Sequence, residues 1–164
     1  MTPRQVEVIR SNWARVEPIS ETAAGLFYDR LFELDPVIKR PFARTDMAAQ
    51  RRILMQTFAV IISSLDEFHT LEPVIRALGQ IHAGYGVREE HYDTVAAALL
   101  WTLDRGLGDA FDDEAADAWA TAYHAIASLM IEAAAELLTV TDDDRVVLTT
   151  RGRLLSNEVF SRLI

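Results

Sequence analysis

The chain of 164 residues contains no cysteine. Disulfides, thiolate catalysis, cysteine-ligated zinc and iron–sulfur clusters are thereby excluded. The absence also fits a reducing, cytoplasmic compartment. Positive charge is scarce: 16 Lys and Arg stand against 25 Asp and Glu, for a formal net charge of −9. This balance argues against a nucleic-acid partner, whose phosphates reward clustered basic residues. It argues equally against anionic membrane surfaces. Long hydrophobic runs are missing too. The longest apolar stretches, Ile53–Leu65 and Ala118–Ile131, fall short of the ~20 residues that a bilayer span needs, and both contain polar residues. Arg4, Glu7 and Arg10 interrupt the N-terminus, so no signal peptide is expected. There is no internal repeat and no low-complexity segment. A soluble, cytoplasmic protein is expected.

What is present is a helical chain with one substantial core. Half of the residues are hydrophobic, and a chain of this length can bury a large apolar interior. Thr2-Pro3-Arg4-Gln5 combines an N-cap, a proline at the first helical position and a capping-box partner. Val6, Ile9, Trp13 and Val16 follow at helical spacing. A second helix is expected from about Ser20 to Leu34, with Ala24, Phe27, Leu31 and Leu34 on its apolar face. Asp35-Pro36 opens a short turn or helix to Arg40, and Pro41 to Asp46 reads as a loop with one aromatic, Phe42. A third helix, from about Met47 to Leu65, carries the stripe Leu54, Phe58, Ile61 and Leu65. A short helix from about Leu71 to Gly84 carries Leu71, Val74, Ile75 and Leu78. The next, from about Glu89 to Leu107, turns Tyr92, Val95, Leu99, Thr102 and Leu103 inward, and Gly106 and Gly108 break it. The last long helix, from about Asp112 to Leu138, has Trp119, Ala122, Tyr123, Ile126, Met130, Ala133 and Leu137 on one face.

Three polar side chains stand where this pattern expects apolar ones. His82 continues the Leu71–Leu78 stripe, Gln50 lies one turn before Leu54, and Tyr28 sits beside Phe27. A buried polar group left unpaired costs ~1–3 kcal/mol, so each needs a partner or a purpose. Each has a structural explanation: a histidine can donate to a carbonyl of its own helix, a glutamine near a helix start can be solvated, and a tyrosine can send its hydroxyl to the surface. A neutral imidazole is also a common metal ligand. All three in one small helical chain point to convergence on a ligand.

The segment from about Thr2 to Ala135 resembles the globins, specifically the single-domain bacterial globins related to flavohaemoglobin globin domains. The resemblance is carried by Leu78-Gly79-Gln80-Ile81-His82-Ala83-Gly84-Tyr85-Gly86-Val87, by Glu90-His91-Tyr92-Asp93-Thr94-Val95 and by Leu99-Leu100-Trp101. Leu26 to Phe32, Pro36 to Phe42, Leu107 to Phe111 and Ala118-Trp119 to Tyr123 extend it. It implies an all-α globin fold, with helices in a three-over-three sandwich around haem b (iron protoporphyrin IX). It implies that His82 is the axial ligand of the iron and that Phe42 packs on the porphyrin face. Gln50 and Leu54 fall at the distal positions, Tyr28 matches a distal tyrosine aimed at bound oxygen, and Tyr92 matches a tyrosine near the proximal histidine. A carbonyl near Leu78 or the Tyr92 hydroxyl would accept from the second nitrogen of His82. Donors such as the Tyr28 hydroxyl and the Gln50 amide would strengthen oxygen binding by charge-assisted hydrogen bonds, and Leu54 would keep the site dry. His69, His91 and His124 match no distal position, so a five-coordinate deoxy haem is expected.

The resemblance therefore implies reversible binding of oxygen, or of another diatomic gas such as NO or CO. Its rivals are a nitric oxide dioxygenase that uses an external reductase and a haem-based gas sensor. Two departures bear on the choice. The glutamate that such domains place on the last helix, beside the proximal histidine and tyrosine, is replaced here by Ala134, flanked by Glu132 and Glu136 on other faces. No flavin or nicotinamide domain is expected after the globin segment, which is assigned to residues 1–137. Residues 138–164 are read as a separate extension: a β-hairpin with an acidic turn at Asp142 to Asp144, then a helix. Val147 to Phe160 resembles the C-terminal end of radical SAM haem-chaperone proteins, relatives of oxygen-independent coproporphyrinogen oxidase, without any of their cysteines. The extension is expected to have no haem role; the alternative is a docking element for a haem-handling partner or a second copy of the chain as a homodimer.

Overall fold

The computed structural model of the protein describes residues 1–140 and 146–148. Helices dominate: α1 Pro3–Val16, α2 Ser20–Leu34, α3 Met47–Ser63, α4 Phe68–Gly84, α5 Glu89–Leu107 and α6 Asp113–Ala135. Short 3₁₀ segments join several of them, including Pro36–Phe42 between α2 and α3. Two short strands, β1 Leu138–Val140 and β2 Val146–Leu148, pair antiparallel with Thr139 opposite Val147. The acidic turn and the final helix expected from the sequence fall on 141–145 and 149–164, outside the described residues. Among the described residues no helix is long and apolar enough to cross a membrane.

The chain divides into two compact units, Met1–Phe68 with Glu90–Tyr123, and His69–Glu89 with His124–Ile164. In the first unit, the capping box forms as the sequence requires. The Thr2 hydroxyl accepts from Gln5 N at 3.2 Å, and Gln5 Oε1 accepts from Thr2 N at 2.8 Å. α1 then buries Val6, Ile9 and Val16. Asn12, an unremarked polar residue on the same helix, is also buried. Its amide donates to the Ala110 carbonyl at 3.2 Å and its oxygen accepts from Trp119 Nε1 at 3.1 Å, so both of its polar ends are satisfied. The orphan carbonyls at the end of α3 are met by Arg10, which donates to Ile62 O and Ser63 O and pairs with Asp66. This is the usual use of a cation at a helix C-terminus. Apolar side chains of α2 (Ala24, Phe27, Leu31), α3 (Ile61, Ile62), α5 (Leu99, Leu103) and α6 (Ala118, Trp119, Ala122) complete this core.

In the second unit, α4 buries Leu71 and Ile75, and the end of α6 buries Ala127, Met130 and Ala133. Val74, expected inward, is 53% exposed. The buried stripe runs at positions 71, 75 and 79, and Val74 lies to one side of it. Leu34, at the last position of α2, is likewise exposed. α4 also starts three residues earlier than expected and carries Pro73 in its second turn. Arg76 ties α4 to α6 through Glu132 at 3.6 Å and also pairs with Glu136, just past the end of α6. The closest approach is at Gly79. A Cβ added there would lie 2.5 Å from the Met130 Cα and 2.8 Å from its carbonyl carbon, and it would also overlap the carbonyl oxygen. Backbone cannot move aside cheaply, so only glycine fits.

Gly79→Ala is expected to lower the stability of the protein by about 1–3 kcal/mol, the usual result of overpacking a tight crossing. Gly25→Ala serves as the control, because its Cβ would meet its nearest atom at 3.7 Å, and the better helix propensity of alanine offsets any crowding. Chemical denaturation of both variants checks the contrast; equal stabilities would contradict it.

Candidate haem site

His82 is placed by the geometry of α4. Its Nδ1 lies 2.8 Å from the Leu78 carbonyl oxygen, one turn earlier. A carbonyl can only accept, so Nδ1 carries the proton and Nε2 keeps its lone pair. Of the two acceptors that the sequence left open, the Leu78 carbonyl is the one that this nitrogen reaches. Burial pushes the imidazole below its ordinary pKa, with the hydrogen bond to Leu78 opposing in part. His82 is therefore neutral near pH 7, the form in which an imidazole binds a metal.

The helix ends just beyond this residue by a Schellman arrangement. Val87 N donates to the His82 carbonyl at 3.1 Å and Gly86 N to the Ala83 carbonyl at 3.0 Å. Gly86 takes φ +80°, the left-handed conformation that this cap needs. Gly84, by contrast, is the last residue of the helix. The backbone on both sides of His82 is thus tied by hydrogen bonds.

In the first unit, three of the expected residues come together. Tyr28 is buried on α2, and its hydroxyl oxygen accepts from Gln50 Nε2 at 3.0 Å. Asp46 sets the phase that makes this contact: it caps α3 by accepting from Ala48 N and Ala49 N, and its carbonyl receives Gln50 N at 2.9 Å. Phe42, at the end of the 3₁₀ segment, stacks edge-on to Tyr28 with ring centroids 5.6 Å apart, and Phe32 joins both rings at 5.8 and 5.4 Å. Burial raises the Tyr28 pKa above the ordinary phenol value, and the Gln50 hydrogen bond and the charge of Arg51 oppose that rise. The phenol stays protonated at neutral pH. Because Gln50 donates to its oxygen, its own hydrogen remains to be given elsewhere.

Leu54 lies one turn after Gln50 on α3 and is half-buried. Tyr92 is half-buried on α5; its carbonyl accepts from the Tyr123 hydroxyl at 2.6 Å, and burial raises the pKa of both phenols. His82 belongs to the second unit, and Tyr28, Phe42, Gln50, Leu54 and Tyr92 to the first. Ala134 is half-buried, and its acidic neighbours Glu132 and Glu136 are engaged by Arg76. Sequence reasoning missed two contributors. Tyr123, read as an inward residue of α6 and as part of the family match, is one: its hydroxyl holds the Tyr92 carbonyl. Arg51, next to Gln50, is the other: its buried Nε has no sequence signature.

The donor chemistry suits a haem. Among the described residues, no group of three or more His, Cys, Asp or Glu side chains could hold a metal ion. One neutral imidazole with a fixed tautomer is what the axial position of a haem requires, the macrocycle supplying the other donors. The residues fit.

Comparison with known proteins places the chain in a family. The Globin family model matches residues 25–130. The chain is similar to the "Flavohemoprotein" of Bacillus subtilis (strain 168), with 31% identity over 130 residues, covering 78% of this chain and 33% of that protein. It is similar to the "Flavohemoprotein" of Rhizobium meliloti (strain 1021), with 32% identity over 113 residues, 68% of this chain and 28% of that one. The chain thus spans about a third of the length of the curated relatives it matches. Among solved structures, it resembles a protein from Pseudomonas aeruginosa PAO1 described as structurally highly homologous to a human hemoglobin. The TM-score is 0.70 at 25% identity, covering 79% of this chain and 97% of that one. The resemblance noted for Val147 to Phe160 lies beyond the matched segment. With its matched helices, its oriented His82 and its tyrosine–glutamine pair, the chain belongs to the globin family.

Proposed function

We propose that this globin carries one haem b on His82 and binds a diatomic gas, oxygen foremost, on the side served by Tyr28 and Gln50. A haem iron held by one histidine keeps its sixth position open to such a ligand. The observation that carries the reading is the orientation of His82: Nδ1–H held by the Leu78 carbonyl leaves a neutral Nε2 to coordinate. That hydrogen bond also makes the imidazole a stronger donor.

The distal residues divide the work. Gln50 is a positioning residue, because its amide holds the Tyr28 oxygen at 3.0 Å. The Tyr28 hydrogen is then the group offered to a ligand that gains negative charge. Phe42 supplies a flat apolar surface for the macrocycle, and Leu54 excludes water. Tyr92, backed by Tyr123, is assigned by the family resemblance to the proximal side. The chain functions as a soluble protein of the cytoplasm in this reading, without nucleic acid or membrane.

A second reading, a nitric oxide dioxygenase fed by a separate reductase as partner, is favoured by one observation, the similarity to proteins named flavohemoproteins. Two features weigh against it. Ala134 offers no carboxylate, and Glu132 and Glu136 are occupied by Arg76. The proximal donor therefore has no glutamate to increase its push.

Two measurements check the proposal. The ferrous deoxy protein is expected to show a high-spin, five-coordinate spectrum, because the polar pair brought together on α2 and α3 contains no histidine; a low-spin six-coordinate spectrum would contradict it. In Tyr28→Phe the oxygen dissociation rate should rise by at least about tenfold, the size of one lost charge-assisted hydrogen bond. An unchanged rate would remove Tyr28 from the ligand site.

A further inference from the structure

Arg51 is the charged neighbour of this pair that the functional reading leaves unused. It follows Gln50 on α3, yet its guanidinium lies against α2. A Cβ added at Gly25 would be 3.7 Å from the Arg51 Cζ and 3.8 Å from Nη1. Gly25 precedes Tyr28 by three residues, so both lie on one face of α2. The Arg51 Nε is buried and has no hydrogen-bond partner. Among the described residues no carboxylate pairs with its guanidinium either.

Such a group is costly. Arginine cannot shed its proton to relieve desolvation, and a partly buried cation without a counter-ion is unfavourable. Arg30 makes the contrast. Its Nε is also buried and unpartnered, but Nη1 pairs with Glu33 at 2.8 Å and the guanidinium sits over the Trp101 ring at 5.2 Å. Arg51 has neither relief. What its charge does act on is the Tyr28 hydroxyl, where it favours negative charge.

We propose that Arg51 determines ligand specificity: its fixed positive field at the Tyr28 side favours ligands that carry or gain negative charge over neutral ligands of similar size. The inference rests on the reading of Tyr28 and Gln50 as the pair that meets the ligand. A charge held in partly desolvated surroundings acts over several ångströms and needs no hydrogen-bond geometry. An anion such as azide feels it fully, whereas carbon monoxide, which stays nearly neutral, feels it weakly. Gln50 orients the phenol and Arg51 sets the sign of the field around it.

The test uses the haem-loaded full chain with azide as the anionic probe of the ferric form and carbon monoxide as the neutral probe of the ferrous form. Arg51→Met keeps an unbranched, flexible stem and removes the charge; Arg51→Lys keeps the charge. Arg51→Met is expected to weaken azide binding by about tenfold and to change carbon monoxide affinity by less than about twofold, and Arg51→Lys should restore most of the azide affinity. Equal changes for both probes, or Arg51→Lys behaving like Arg51→Met, would overturn the proposal. The Tyr28 phenol, isolated as the difference between chains with and without Tyr28→Phe, should titrate at higher pH in Arg51→Met. That titration needs no haem. A chain that takes up no haem sinks the functional reading and the selectivity with it, whereas a titration that does not move sinks the role of Arg51 alone.

Discussion

The hydrogen bond from His82 Nδ1 to the Leu78 carbonyl is the interaction on which the account depends. It decides the tautomer, and the tautomer decides which nitrogen can bind a metal. A helical histidine does not hold this geometry by default, because its own carbonyl and those beside it must also be satisfied. Here the Schellman cap at Gly86 and Val87 takes up the carbonyls of Ala83 and His82. The Gly79 contact with the Met130 backbone and the Arg76 pairs with α6 hold α4 from the other side. Each is a local consequence of sequence: a glycine where only glycine fits, a glycine at a left-handed position, and a cation among carboxylates.

The Tyr28–Gln50 pair is built by the same logic in the other unit. Asp46 starts α3 in the phase that brings Gln50 to Tyr28, and the rings of Phe32 and Phe42 close around the phenol. Donor and acceptor roles then follow without freedom. Gln50 has an amide hydrogen to give, the phenol oxygen takes it, and the phenol hydrogen is left over. Burial keeps that hydrogen in place at neutral pH against the opposing pull of Arg51. The phenol is thereby left as a donor that is not ionised.

Much of this was legible in the sequence because helices announce themselves by period and punctuation. Thr2-Pro3 and Gln5, the Ser20–Leu34 stripe and the Glu89–Leu107 pattern predicted elements that the structure has, with the bounds of α2 and α5 matched. The family resemblance was legible in the run Leu78 to Val87, where the histidine and the glycines sit at fixed offsets. Val74 and Leu34 misled because an apolar residue at the edge of a stripe or the end of a helix looks like one at its centre. The partner of His82 could not be chosen, since a carbonyl has no side chain to read. Arg51 was invisible for a related reason: sequence shows the charge, but only coordinates show that Nε is desolvated and that Gly25 receives it.

The central claim is that Nε2 of His82 holds the haem iron. Absorption spectra of the ferric, ferrous and carbonyl forms, recorded for the protein and for His82→Ala with and without added imidazole, test it most directly. The account predicts that the variant loses haem or its proximal coordination and that free imidazole restores the spectrum. Spectra that His82→Ala leaves unchanged would contradict it.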